Sequence, residues 1–226
     1  MDLLLPGSSQ GLAAALPGYR PDLLVVYGFN WRIPQSVLRV PRLGAINVHP
    51  SLLPKHRGPA PVLWAIRNGE PDFGVTIHRM DDHFDSGNII AQQSGIPLDD
   101  DPTPERMWLR TEPVIRDLLA RALQYVAQGL GGEPQDESQA SHEGFLEPEF
   151  SRIDWSHRVR DIHNQVRTFR SMRHGCGPVA QIDGRWVKVL RTSIEPGEGV
   201  RMECADGPLW IVEAMAAEPP VTPAAH

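Results

Sequence analysis

Cysteine is scarce in this chain of 226 residues. The two cysteines, Cys176 and Cys204, are too few for a disulfide framework and too far apart in the sequence for a CxxC metal site. No apolar run reaches the roughly 18–20 residues of a membrane helix, and the first residues lack the basic region and apolar core of a secretory signal. We therefore expect a cytoplasmic globular protein with reduced, structural cysteines and no membrane segment.

Positive charge is also in deficit, with 22 Lys and Arg residues against 28 Asp and Glu and a net charge of −6. This balance argues against a protein coated in nucleic acid. The charges are unevenly distributed, because residues 151–191 carry nine bases and three acids, whereas residues 129–144 carry four acids and neither Lys nor Arg. The basic segment has two open interpretations, a surface that meets phosphates or a solvated helix face.

Short apolar segments alternate with helical patterns in the first part of the chain. Predicted strands cover residues 23–27, 44–49, 74–78 and 89–92, and helical patterns cover 34–38, 61–68 and 103–128. The first strand is a continuous apolar run, which is typical of a strand buried on both faces. Strands that alternate with helices predict an α/β fold with a parallel sheet. The segment 7–11 lacks phosphate-loop and dinucleotide patterns and is predicted to be a loop.

The composition changes after residue 128. Residues 129–144 are polar, acidic and rich in glycine, which is typical of a linker. Beyond them, helical spacing and short strands separated by turns such as Asp183-Gly184 predict a small helix-plus-β domain. We therefore divide the chain into a first domain at 1–128, a linker at 129–144, a second domain at 145–216 and a Pro- and Ala-rich tail at 217–226.

Asn47 and His49 lie two residues apart near the carboxyl end of the second predicted strand, so their side chains share one face. Ligands of parallel α/β sheets bind beyond these strand ends, and Asp85 follows the third strand in a nearby loop. An amide donor, a titratable ring and a carboxylate suit the attack of an amine on a carbonyl carbon. Asn47 would hold the oxyanion and a charged His49 would assist it. Asp85 would keep the imidazolium charged and orient a water or base that takes the amine proton.

Other interpretations of these residues are weaker. A lone strand histidine is more often structural, and Asp-Ser-Gly at 85–87 is good turn chemistry. A metal site built from the histidines and aspartates of residues 78–85 is disfavoured, because His78 lies on a strand and the others lie in a loop. Ser51 lacks the G-x-S-x-G surroundings of a nucleophile. We therefore predict no metal site.

Several motifs follow one another in a fixed order. They are N-V-H-P-S-L-L-P at 47–54, R-G at 57–58, G-V-T-I-H-R-M-D at 74–81 and D-S-G-N-I-I at 85–90. This series resembles the folate-dependent formyltransferase family, and the resemblance implies that Asn47, His49 and Asp85 are catalytic. It also implies that two loops hold the pteridine of 10-formyltetrahydrofolate, largely by backbone contacts. The residues concerned are Tyr27, Gly28, Phe29, Trp31, Ile33, Met80, Asp81, Asp82 and His83. The alternative for Phe29 and Trp31 is core or lid packing.

The resemblance extends beyond residue 144. I-D-W-S at 153–156, I-H-N-Q-V-R at 162–167 and W-V-K-V at 186–189 are similar to the carboxyl-terminal domain of methionyl-tRNA formyltransferases and their sugar-modifying relatives. The implied fold is a Rossmann-like sheet followed by a small open β-barrel. In the tRNA enzymes that domain helps to hold tRNA, and the basic segment 151–191 is compatible with that role. His163, Asn164 and Arg167 are expected to cap and pin the domain rather than to do chemistry.

The resemblance covers residues 3–213 but begins part-way into the family domain. Family members carry further strands and helices ahead of this segment, which form half the sheet and contribute to binding the acceptor. Three explanations stay open: an incomplete reading of a longer chain, a partner or second copy that covers the open sheet edge, or a reduced relative. An uncovered strand near residue 24 would be an aggregation hazard.

The leading functional hypothesis is transfer of a formyl group from 10-formyltetrahydrofolate to the amino group of methionyl-tRNA. The first alternative is formylation of a small amine, such as a nucleotide-linked amino sugar or a peptide precursor, which the overall acidity favours. A second is hydrolysis of the formyl-folate with water as acceptor. Glycinamide ribonucleotide formylation would leave residues 145–215 without a role. A non-catalytic folate-binding protein or scaffold is disfavoured by the intact Asn47, His49 and Asp85.

Overall fold

Four strands form one sheet in the first part of the chain, as the apolar segments predict. They are β1 (Leu24–Tyr27), β2 (Ala45–His49), β3 (Asp72–Arg79) and β4 (Ile89–Pro97), and they lie in the order β1-β2-β3-β4. The computed structural model describes residues 8–29 and 32–219. Most of the predicted tail therefore lies outside the described residues.

The direction of β3 differs from the expectation of a parallel sheet. β1 pairs with β2 in parallel, as predicted, whereas β2 and β3 are antiparallel, with Asn47 opposite His78 and His49 opposite Thr76. The chain between β2 and β3 is long enough to return in either direction, and a β-branched run does not encode strand direction. One antiparallel strand in an otherwise parallel sheet is common. The α/β class is confirmed, and the sheet is mixed.

The helices alternate with these strands. They are α1 (Ser9–Tyr19), α2 (Gln35–Leu38), α3 (Pro61–Arg67), α4 (Pro104–Ala127) and α5 (Val159–Met172), with 3-10 turns at Glu137–Gln139 and Pro148–Ser151. The prediction of a loop is wrong for residues 9–11, because α1 begins at Ser9 and the Ser8 hydroxyl accepts a hydrogen bond from the Gly11 amide at 3.1 Å. Among the described residues, no helix combines the length and apolar character needed to cross a membrane.

Two compact units are formed by the chain. The first comprises Met1–Pro61, Phe73–Ile96 and Thr111–Gly144, and the second comprises Val62–Asp72, Pro97–Arg110 and Phe145–His226. Because the chain passes between the units several times, the domain boundaries at residues 128 and 144 stay a prediction.

The sheet of the first unit is buried on both faces where the site residues begin. Ile46, Val75 and Ile77 are fully buried, and burial of each such side chain contributes about 1.5–3 kcal/mol. A neighbouring apolar cluster joins α1 and α2 to β1 and β2; its buried members are Leu16, Val26, Ile33, Val37, Leu38 and Ala45. This packing fixes the strand from which Asn47 and His49 project.

The second unit contains a curled antiparallel sheet. Its strands are β5 (Val179–Ile182), β6 (Arg185–Ser193), β7 (Val200–Cys204) and β8 (Gly207–Ala216), in the order β5-β6-β8-β7. Asp183 and Gly184 both have positive φ angles, 48° and 76°, as a type I′ hairpin requires. Helix α5 packs Ile162 and Val166 into the core of this sheet. The predicted β-barrel-like second domain is confirmed in its fold class.

The buried polar side chains of α5 bond within the second unit. Arg167 donates to the side chain of Asn164 at 2.8 Å and to the carbonyl groups of Leu98 and Asp99 at 3.0 and 2.7 Å. His163 bonds the hydroxyl of Thr192 at 2.9 Å through Nδ1. These contacts match the expected pinning role of the three helix residues.

Candidate active site

Strand β2 carries two of the predicted catalytic residues. Asn47 and His49 are separated by one residue and project from the same face of the strand. His49 is 4% exposed and Asn47 is half-buried. The pairing of β2 with β3 adds His78, which is 2% exposed, directly opposite Asn47.

Asp85 reaches all three of these side chains from the loop between β3 and β4. Its Oδ1 lies 3.3 Å from Asn47 Nδ2, 3.6 Å from His49 Nδ1 and 3.5 Å from His78 Nε2. Its Oδ2 accepts a hydrogen bond from the Gly58 amide at 2.8 Å. The structure therefore brings the predicted trio together around one carboxylate.

The environment of His49 favours its neutral form. Burial lowers the pKa of His49 below its usual value, and the rings of His78 and His56 lower it further. The Asp85 carboxylate and the hydrogen bond to the His56 carbonyl raise this pKa, but burial outweighs them. The lowered pKa favours a neutral His49 at rest, so the charged ring expected from the sequence would form when His49 takes a proton.

The neutral ring of His49 has a defined tautomer. Its Nε2 lies 2.9 Å from the carbonyl oxygen of His56, which can only accept a hydrogen bond. Nε2 therefore carries the proton, and the lone pair of Nδ1 faces Asp85. This arrangement makes Nδ1 the basic atom of the site.

His78 orients the amide of Asn47. Its Nδ1 donates to the Arg79 carbonyl at 2.7 Å, so its Nε2 accepts from Asn47 Nδ2 at 3.2 Å. Both amide hydrogens of Asn47 are thus engaged at rest, one by His78 and one by Asp85. Sequence reasoning considered His78 only as a metal ligand. Its contact with Asn47 depends on the antiparallel pairing of β3 with β2, which the sequence did not predict.

Asp85 is held in its ionised form. Burial alone would raise the pKa of this carboxyl group. The contact with the His78 ring, the nearby His49 ring and the hydrogen bond from the Gly58 amide together outweigh burial and lower the pKa of Asp85 below its usual value. A fixed negative charge therefore stands beside the basic nitrogen of His49.

The two loops predicted to bind folate are joined to each other. Arg32 donates a hydrogen bond from Nη2 to the carbonyl oxygen of Asp82 at 2.9 Å. On the first loop, Gly28 has a φ angle of +63° and the rings of Tyr27 and Phe29 are 49% and 38% exposed. Ile33 instead packs into the buried cluster between α1 and α2, and Trp31 lies outside the described residues.

The second loop is shaped by its own side chains. Asp81 accepts hydrogen bonds from the His83 amide and from Ser86 Oγ, each at 2.9 Å. Asp82 and His83 are exposed, whereas Met80 is half-buried against the same cluster as Ile33. In the part of the chain that the structure describes, no three His, Cys, Asp or Glu side chains are grouped as metal ligands would be.

One buried cation next to the site has partners that sequence reasoning missed. The Arg57 side chain is 2% exposed and is bound by Gln135 and Glu137, which lie in the segment predicted as a linker. The R-G motif marked Arg57, but nothing in the sequence indicated its partners almost 80 residues away.

The first sheet is mixed and carries the side chains of Asn47 and His49 next to Asp85. A curled antiparallel sheet follows later in the chain. A family model described as formyl transferase matches residues 7–123, and a model described as the formyl transferase C-terminal domain matches residues 146–224. The chain belongs to the formyl transferase family.

Relatives agree with this assignment, and solved structures share the fold. The methionyl-tRNA formyltransferase of Pelobacter propionicus is 34% identical over 210 residues, which are 87% of this chain and 65% of that protein. The structure of the Clostridium thermocellum methionyl-tRNA formyltransferase has a TM-score of 0.67 at 17% identity and covers 91% of this chain and 82% of that one. HypX from Aquifex aeolicus in complex with tetrahydrofolic acid has a TM-score of 0.71 at 23% identity, with 93% of this chain and 38% of that chain covered. This chain spans about 65% of the length of the Pelobacter relative.

Proposed function

We propose that this protein transfers a formyl group from 10-formyltetrahydrofolate to the amino group of methionyl-tRNA. The supporting observation is that Asn47 and His49 converge on one carboxylate oxygen of Asp85, at 3.3 and 3.6 Å. A base, a hydrogen-bond donor and a fixed negative charge are the groups that attack of an amine on a formyl carbon requires.

The donor would bind along the two loops that Arg32 joins. Partly exposed Tyr27 and Phe29 offer aromatic surface to a flat pteridine, and Gly28 and residues 81–83 offer backbone groups. Ile33 and Met80 would support the loops from the core side rather than touch the donor. The role of Trp31 in this site stays a prediction.

His49 would act as the general base. Its Nδ1 is unprotonated at rest and would accept a proton from the attacking amine, while Asp85 stabilises the imidazolium that forms. The amine nitrogen bonds to the formyl carbon, and the bond from that carbon to the folate N10 then breaks. His49 returns the proton to N10.

Asn47 would donate to the formyl oxygen as negative charge develops there. At rest its amide hydrogens are held by Asp85, at 3.3 Å, and by His78, at 3.2 Å. When His49 takes a proton, Asp85 Oδ1 gains a cationic partner, and the amide hydrogen that it held becomes available to the oxyanion. Proton transfer and oxyanion stabilisation would thus be coupled through one carboxylate.

The choice of tRNA as acceptor is supported by the basic segment 151–191 and by the names of the 34–36% identical relatives. The formylation would take place in the cytoplasm. The division into domains at 1–128 and 145–216 belongs to this proposal, and self-association along the β1 edge remains a prediction that light scattering would check.

An acceptor panel tests the proposal. The purified protein is incubated with 10-formyltetrahydrofolate and with methionyl-tRNA, a nucleotide-linked amino sugar, or water alone, and release of tetrahydrofolate is measured. We expect release that depends on methionyl-tRNA. Release with the amino sugar, or with water alone, would instead assign the chain to the small-amine or hydrolase alternative.

A further inference from the structure

Residues 133–143, which we call the strap, run beside the site and contact both Asp85 and the partner of His49. We infer that the strap positions Asp85 and His49 for formyl transfer, with Gln135 as its principal positioning residue. The inference rests on the proposed function for its kinetic consequences but not for its geometry.

Gln135 is fully engaged in hydrogen bonds. Its Nε2 donates to the carbonyl oxygens of Asp85 and Gly87, each at 2.8 Å. Its Oε1 accepts from Arg57 Nε at 3.2 Å and from Nη2 at 2.8 Å. One side chain therefore holds the backbone on both sides of the Asp85 turn and is itself fixed by a buried guanidinium.

The backbone at Asp85 needs such support. Its φ angle of +54° lies in the left-handed region, which is unfavourable for a residue with a side chain. A left-handed residue persists only where its surroundings determine it. Three hydrogen bonds hold the turn in this conformation. Gln135 Nε2 donates to the carbonyl oxygens of Asp85 and Gly87, and the Gly58 N–H donates to Asp85 Oδ2.

Arg57 links the strap to the same carboxylate. Its guanidinium forms a bidentate pair with Glu137, at 2.9 and 2.7 Å, and its backbone amide donates to the Ser141 carbonyl at 3.0 Å. The following residue, Gly58, donates its amide to Asp85. The strap thus fixes the Gly58 N–H, which is the donor, as well as the turn that carries the accepting Asp85 carboxylate.

The far end of the strap holds the partner of His49. Glu143 Oε2 lies 2.6 Å from His56 Nδ1, and the His56 amide donates to Ser141 Oγ at 2.8 Å. The carbonyl oxygen of His56 then accepts from His49 Nε2. Both members of the His49–Asp85 pair are therefore fixed from one segment.

The test replaces Gln135 in the full chain. Gln135→Leu removes all four bonds, whereas Gln135→Glu keeps the acceptor for Arg57 and removes both donors to the Asp85 turn. In each variant Asp85 should move away from His49 Nδ1, while the rings of His56 and His78 and the burial of His49 remain. The pKa of His49 should then fall in Gln135→Leu, which adds no charge, since Asp85 is the charged group that raises it.

Two readouts are taken. NMR titration of histidine rings in ¹⁵N-labelled protein follows His49 whether or not the chain is active, with His49→Gln used to assign the signal. Formyl-transfer kinetics should show kcat lowered about 10- to 100-fold, with little change in KM for the folate and with the acid limb of the pH profile moved to lower pH.

Gln139→Leu is the matched control, because Gln139 lies in the same strap with an exposed side chain. It should leave both readouts unchanged. The inference is overturned if folded Gln135→Leu and Gln135→Glu titrate and turn over as the parent does. If the parent shows no formyl transfer but the His49 titration moves as expected, the proposed function fails and the positioning stands.

Discussion

At the scale of single residues, the site depends on opposing influences on His49. Burial lowers the pKa of the ring, and the Asp85 carboxylate at 3.6 Å raises it. The ring is consequently neutral at rest yet stands beside a charge that stabilises its protonated form. This is the compromise that a general base needs, because it must both take and return a proton near neutral pH.

Replacement of Asn47 tests the oxyanion role. In Asn47→Ala, the formyl oxygen would lose a donor, and kcat should fall by roughly 10²–10³-fold, about 2.7–4 kcal/mol. Steady-state kinetics with 10-formyltetrahydrofolate measures the change. The exposed Asn68→Ala provides the control. Unchanged turnover in Asn47→Ala would contradict the assigned role.

The lowered pKa of His49 also predicts a pH dependence of stability. The unfolded ring titrates near about 6.5, and the folded ring titrates below that, so the unfolded state binds more protons between these values. The free energy of unfolding should therefore fall as the pH drops through this window. In His49→Gln the slope should be shallower by up to about 1.4 kcal/mol per pH unit.

Urea unfolding at several pH values between neutral and mildly acidic measures that slope. The exposed Asn68→Ala, which removes no titratable group, is the control and should keep the parent slope. Asp85 does not interfere, because its lowered pKa places its own stability loss at more acidic pH. An identical slope in His49→Gln and the parent would refute the burial argument.

At the scale of elements, the direction of β3 builds the site. Because β3 runs opposite to β2, His78 lies beside Asn47, and the loop after Arg79 starts next to the same strand. Arg79, the last residue of β3, pairs with Ile46 near the start of β2, whereas a parallel β3 would have placed the loop after Arg79 at the other end of β2. The short loop of residues 80–88 can therefore carry Asp85 back over β2.

Gly87 tests how tightly that loop is packed. A Cβ atom at this position would lie 1.9 Å from the carbonyl oxygen of Arg79. Gly87→Ala should therefore displace the Asp85 turn and destabilise the protein by roughly 1–3 kcal/mol, with a matching loss of activity. Thermal unfolding measures the effect. Gly18→Ala, where the added atom meets nothing within 4 Å, should show no loss.

Local patterns explain which elements could be predicted from the sequence. The four strands of the first sheet and the hairpin at Asp183-Gly184 follow from local signals, so they were predicted correctly. Helix α1 was missed because Gly11, Pro17 and Gly18 weaken its helical pattern. The strand direction of β3 and the partners of Asn47 and Arg57 depend on contacts between residues far apart in sequence, which no local pattern records.

At the scale of the whole molecule, the salt dependence of the reaction distinguishes a tRNA acceptor from a small amine. If methionyl-tRNA is bound through several Lys and Arg residues of 151–191, formylation at low tRNA concentration should fall steeply with salt, since each phosphate contact releases counterions. The measurement is log kcat/KM for methionyl-tRNA against log salt concentration. A flat response would point to a small amine.

The bonds of Gln135 and Glu143 bear on how the protein could be divided for experiments. The first family match ends at residue 123 and the second begins at residue 146, so a fragment boundary between them would be a natural choice. A fragment that stopped at 128 would keep every residue of the Asn47–His49–Asp85 trio but would lose the side chains that hold the Asp85 turn and His56. Expression fragments of the first unit should therefore extend through Gly144, even though the intervening sequence resembles a dispensable spacer.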